Sequence, residues 1–116
     1  MAKENIIIDK TFEFSLRIIE LYKYLTIEKK EYILSKQLLK SATSIGANVE
    51  EATAAQSRKD FLSKMSIASK EARETTYWLR LLIKSDYITD DGILNNSIEI
   101  KKIITSIVKT TSAQKD

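Results

Sequence analysis

Between Lys59 and Lys84, the residues Phe61, Met65, Ala68, Ala72, Thr75, Leu79 and Leu82 follow one another at steps of four, three, four, three, four and three. Residues so spaced share one side of an α-helix, and the register persists through the segment, which therefore reads as a single packed helix. At about 1.5 Å per residue it reaches roughly 39 Å, the length of a small domain. The rest of the chain must be laid out along it, which predicts a helical bundle.

The composition agrees. The 116 residues include no proline and only two glycines, Gly46 and Gly92, so the usual helix breakers are nearly absent. With 43% hydrophobic residues the chain can close a modest core as one domain spanning residues 1–116. Without cysteine there is neither a disulfide framework nor a thiolate site, and a cytoplasmic location is the expectation. No stretch approaches the roughly 20 apolar residues of a membrane span, and the start, Met1 to Lys10, lacks the pattern of a secretion signal. The net charge of +3 comes from 19 basic residues interleaved with 16 acidic ones, which permits a nucleic-acid partner without requiring one.

Three further helices are expected around the first. One runs from Asp9, a candidate N-cap, to about Leu25, and it carries two opposed apolar stripes. Phe12, Leu16 and Ile19 form one, and Phe14, Ile18, Leu21 and Leu25 the other. A monomer can bury only one stripe, so the second predicts contact with another subunit. We assign Phe14, Ile18, Leu21 and Leu25 to that interface. A second helix, from about Tyr32 to Gln56, has the seam Leu38, Ala42, Ile45, Val49 and Ala52, whose small residues with Gly46 and Ala47 predict close approach of a neighbouring helix. Ser57, with Asp60 three residues on, caps the central helix and makes an antiparallel hairpin with the second. The last helix is capped by Asp90 or Asp91 and carries Ile93, Ile100, Ile103, Ile104, Ile107 and Val108, while the polar tail from Thr110 to Asp116 is expected to fray.

Polar groups border this core. Gln37, Ser41, Ser44, Asn48 and Glu51 run beside the seam of the second helix, and Glu71 and Glu74 beside that of the central one, near Ile67 and Trp78. Converging carboxylates could hold a metal or do acid and base work, but the chain has no histidine to supply the nitrogen ligands of a di-iron bundle. No metal or cofactor is expected. We read Ser44, Asn48, Glu51, Glu71 and Glu74 as a polar register between helices, bonded to one another or to Arg73 and Arg80, with Trp78 as the edge of a core or an interface anchor. Tyr77 and Trp78 stacking on bases is the alternative. Lys29, Lys30, Lys36 and Lys40, with Lys101 and Lys102 in the last helix, form the candidate basic surface, against which stands the plainer reading of solvated helix faces.

The run from Ser35 to Ala52, SKQLLKSATSIGANVEEA, followed by Phe61 and then IASKEARETTYWL from Ile67 to Leu79, resembles the bacterial 23S rRNA intervening-sequence proteins. The resemblance covers nearly the whole chain. It implies a left-handed up-down-up-down four-helix bundle that assembles into a ring, typically a pentamer, and it supplies no enzymatic activity. It also implies likeness to accessory proteins of diversity-generating retroelements, which act with RNA. A non-enzymatic homo-oligomeric scaffold, binding structured RNA or a ribonucleoprotein through Lys29, Lys30, Lys36 and Lys40, is therefore the expected function. The alternative is a structural or protein-interaction module with no nucleic-acid role.

Overall fold

A computed structural model describes residues 2–114, with side chains from Ile6 onward. Four helices succeed one another: α1 (Ala2–Ile27), α2 (Leu34–Thr53), α3 (Arg58–Lys84) and α4 (Gly92–Ala113). Short connections at 28–33, 54–57 and 85–91 force consecutive helices to run antiparallel. α1 and α3 each pack against α2 and α4, whereas the pairs α1/α3 and α2/α4 stand diagonally across the core. The result is an up-down-up-down bundle measuring 51 × 21 × 20 Å, its long axis set by the long helices.

The repeating seams become the core. On α3, Met65, Ala68, Ala72, Thr75, Leu79 and Leu82 are buried and Phe61 is half-buried; on α2, Leu38, Ala42, Ile45, Val49 and Ala52 are buried. From α4, Ile93, Ile100, Ile104 and Ile107 close the opposite side. Each fully buried large aliphatic side chain contributes about 1.5–3 kcal/mol.

The largest departure from the sequence reading is in α1, which starts at Ala2 and not at Asp9. Ile7 is fully buried and Thr11, one turn later, is buried with its hydroxyl bonded to the Ile7 carbonyl at 2.7 Å. A threonine that satisfies itself on its own helix can sit on the inward stripe, and that polar interruption hid the first turns. The inward stripe is thus Ile7, Thr11, Phe14, Ile18 and Leu25. This corrects the interface assignment: Phe14, Ile18 and Leu25 are core, Leu21 is half-buried against it, and the outward stripe is the one containing Phe12 and Leu16.

Helix ends follow local chemistry. Ser57 accepts the Asp60 amide at 3.0 Å and starts α3 as its side chain predicts. α2 starts two residues after the expected Tyr32, because the Glu31 carboxylate takes over its start, and ends at Thr53, three residues before the expected Gln56. α3 stops where Asp86 enters the left-handed region at φ 67°, with the Tyr87 amide reaching back to the Leu82 carbonyl and the Asp86 amide to that of Ile83. Of the two candidate caps of α4, Asp90 accepts the Gly92 amide at 2.8 Å, while Asp91 makes no side-chain cap bond. α4 continues to Ala113, into the tail expected to fray from Thr110; there Thr111 is half-buried and the Gln114 amide closes on the Thr111 carbonyl. Lys115 and Asp116, the last two residues of the expected tail, lie outside the described residues.

Candidate functional site

Two apolar features stand on the outside of the α1–α2 hairpin. Phe12 is 60% exposed and Leu16 46%, flanked by half-buried Ile8 and Ile19 on the same stripe. Beside them opens a cleft of about 250 Å³ between α1 and α2, lined by Ile8, Phe12, Ser15, Thr43, Gly46 and Ala47. Gly46 was expected to be imposed by close helix contact. A Cβ at this position would instead meet Ser15 Oγ at 3.5 Å and the Thr11 carbonyl oxygen at 3.6 Å, ordinary van der Waals distances, so α1 does not require a glycine here.

At the turn between these helices lies a second apolar group. Ile27, Tyr32 and Ile33 are the most exposed large hydrophobic residues besides Phe12, with Ile33 at 75%. The turn is nevertheless tightly held. Glu31, largely buried, accepts the amides of Ile33, Leu34 and Ser35 at 3.1, 2.9 and 2.7 Å, and the Ser35 hydroxyl donates to the Glu31 carbonyl. Burial pushes the Glu31 carboxyl pKa up, but the three amides together outweigh it and hold the value below the ordinary one. Glu31 escapes sequence reading because it lies four residues before Ser35, outside the usual S-x-x-E order, although an acid preceding a helix start is itself a signal.

The polar stripe between α2 and α3 does not converge. Thr75 and Ser41, both buried, place their hydroxyls 2.9 Å apart across the interface. Ser44 donates to the Lys40 carbonyl and Asn48 to that of Ser44, so both are satisfied within α2. Glu51 pairs with Lys64 at 2.9 Å near the far end, and its hydrogen bond and charge raise the lysine pKa. Among the described residues, Ser44, Asn48 and Glu51 make no bond to Arg73 or Arg80, which flank Thr76; that residue bonds Ser97 of α4 at 2.8 Å and marks the opposite side of α3. Glu71 is half-buried, Glu74 exposed, and Trp78 half-buried against the core with Tyr77 edge-on at 5.1 Å. Among the described residues the buried Trp78 indole nitrogen finds no acceptor. Among the described residues no group of three or more His, Cys, Asp or Glu is placed to hold a metal ion.

The lysines separate into distinct surfaces. Lys36 and Lys40 stand one turn apart, exposed on α2. Lys29 and Lys30 belong to the turn instead, Lys29 with its ammonium 5.9 Å from the Tyr24 ring centroid and Lys30 at φ 53°. Lys101 and Lys102 are on α4, diagonal to α2, and do not join them. The α1–α4 side is tied by Lys10 to Glu99 at 3.3 Å and by Arg17 to Asn96. Its clefts, of about 290 and 330 Å³, share Arg17 at their boundary. Among the described residues no helix is long and apolar enough to cross a membrane.

A four-helix bundle with these surfaces is a small all-α protein whose special features are exposed apolar and charged faces. The chain belongs to the family of 23S rRNA-intervening sequence proteins, whose sequence profile matches residues 3–109. Among solved structures it is similar to a protein of unknown function from the S23 ribosomal protein family of Bacteroides thetaiotaomicron VPI-5482, with 55% identity and a TM-score of 0.89 over 92% of this chain and 98% of that one. No curated protein matches it significantly.

Proposed function

We propose that this chain is a non-enzymatic subunit of a homo-oligomeric scaffold that closes into a ring of five, the number its family resemblance implies, and carries structured RNA on its lysines. The observation that supports assembly is the outward stripe of α1, where Phe12 and Leu16 face solvent beside the cleft at Ser15, Gly46 and Ala47. Soluble monomers seldom leave such a stripe uncovered, and burying it against a second copy removes it from water. Lys36 and Lys40 remain exposed on α2 and supply the phosphate contacts. Polar groups between the helices set register, as Ser41 and Thr75 do, which supports a structural reading of the stripe.

Light scattering tests the assembly. The wild-type chain is expected to be several times its 13.3 kDa monomer mass, and Phe12→Asp with Leu16→Asp to be monomeric; a wild-type monomer at micromolar concentration rules the scaffold out. RNA binding is expected to fall steeply between roughly 50 and 200 mM salt, and Lys36→Gln with Lys40→Gln to weaken all structured RNAs alike. Affinity indifferent to salt, or none at low salt, leaves a scaffold for proteins alone.

A further inference from the structure

Opposite charges stand unpaired on the two turns at one end of the bundle. Because the helices alternate in direction, the α1–α2 and α3–α4 turns share that end. On the first, Lys29 and Lys30 are exposed with Lys36 just behind, opposed only by Glu28, since the Glu31 carboxylate is bonded to its own amides. On the second, Asp86, Asp90 and Asp91 are exposed and outnumber Lys84. Among the described residues, none of these lysines or aspartates makes an ion pair. Both turns are stiff, one pinned by Glu31 and the other by the left-handed Asp86 and the Asp90 cap, so their charges are held in place before any partner arrives.

We propose that neighbouring copies stand side by side with these ends level, the basic α1–α2 turn of one copy meeting the acidic α3–α4 turn of the next. This rests on the oligomeric reading above and specifies which surfaces meet. A two-fold contact between α1–α2 faces with the bundles parallel would set Lys29 and Lys30 against themselves. A heterologous contact sets them against Asp86 and Asp91, and such contacts repeat around a closed ring. The exposed apolar residues divide in the same way: Phe12, Leu16, Ile27 and Ile33 belong to the α1–α2 hairpin, whereas Ile67 and Tyr77 stand on α3, diagonal to α1. Two unlike faces on one subunit suit a head-to-tail arrangement.

Charge reversal tests this. Lys29→Asp with Lys30→Asp makes both turns acidic, and Asp86→Lys with Asp91→Lys makes both basic; Asp90 is spared because it caps α4. By sedimentation velocity each pair is expected to weaken assembly about tenfold or more, and the four changes in one chain, which exchange the two signs, to restore it. Far-UV circular dichroism at wild-type helicity shows that each variant is folded. Wild-type assembly should also weaken as salt rises from about 50 to 500 mM. Assembly unmoved by either reversal, or lost in both and not regained in the fourfold variant, overturns this pairing while the oligomeric reading stands. A wild-type monomer overturns that reading itself, and the pairing falls with it.

Discussion

The hydroxyl of Thr75 on α3 lies 2.9 Å from that of Ser41 on α2, in a part of the interface where neither side chain reaches water. It ties the seams of α2 and α3 together at one register, because a slide of either helix would leave both hydroxyls without each other. Thr75 also reaches the Glu71 carbonyl at 2.8 Å, and Ser41 that of Leu38 at 3.3 Å, so each has a second partner in its own helix.

Replacing Thr75 with valine keeps the shape and removes the hydroxyl. The expected loss is about 1–2 kcal/mol, with a coupling of roughly 0.5–1.5 kcal/mol to Ser41→Ala in a double-mutant cycle. Urea denaturation at fixed protein concentration measures both, and additive effects would show that the contact carries no register energy.

Gly46→Ala is expected to stabilise the fold. The new methyl would sit at ordinary contact distance from Ser15 and Thr11, and alanine in mid-helix is favoured over glycine by about 0.8–1 kcal/mol. A higher urea midpoint with an unchanged slope is the expected result; a lower one would mean that the cleft beside Gly46 is filled by something the added methyl obstructs.

Glu31 makes stability depend on acid. Its carboxyl pKa is lowered in the folded chain, so the unfolded chain binds the proton more readily as pH falls. The stabilisation is complete above the ordinary value of about 4.5 and is lost as pH drops through the folded value. Glu31→Gln is expected to cost about 1–2 kcal/mol at pH 7 and progressively less as pH falls through the lowered folded value, where the wild-type carboxyl takes up its proton too. Urea midpoints of both chains across that range check the convergence.

Ile7→Ala tests where the first helix begins to matter. Ile7 is fully buried, so truncation should cost about 2–4 kcal/mol, whereas a helix starting at Asp9 would leave it dispensable. Thermal or urea unfolding separates the two.

The α2 and α3 seams and the Ser57 cap were legible because each depends on residues three or four apart, and helix geometry converts that spacing directly into a face. α1 was legible only in part. It has two apolar stripes of similar strength, and spacing says that each forms a face without saying which one turns inward.

Periodicity and local capping fix four helices, the approximate extents of α2, α3 and α4, and the residues of three inward seams. Tertiary packing puts Phe14, Ile18 and Leu25 in the core and leaves Phe12 and Leu16 on the surface, because that choice depends on where α2 and α4 lie against α1. It also decided that Ser41 finds Thr75, that Arg73 and Arg80 turn away from the α2 stripe, and that Lys101 and Lys102 stand apart from Lys36 and Lys40. These are relations between helices distant in sequence. Spacing within a helix orders its own faces, but only packing sets the rotation of one helix against another.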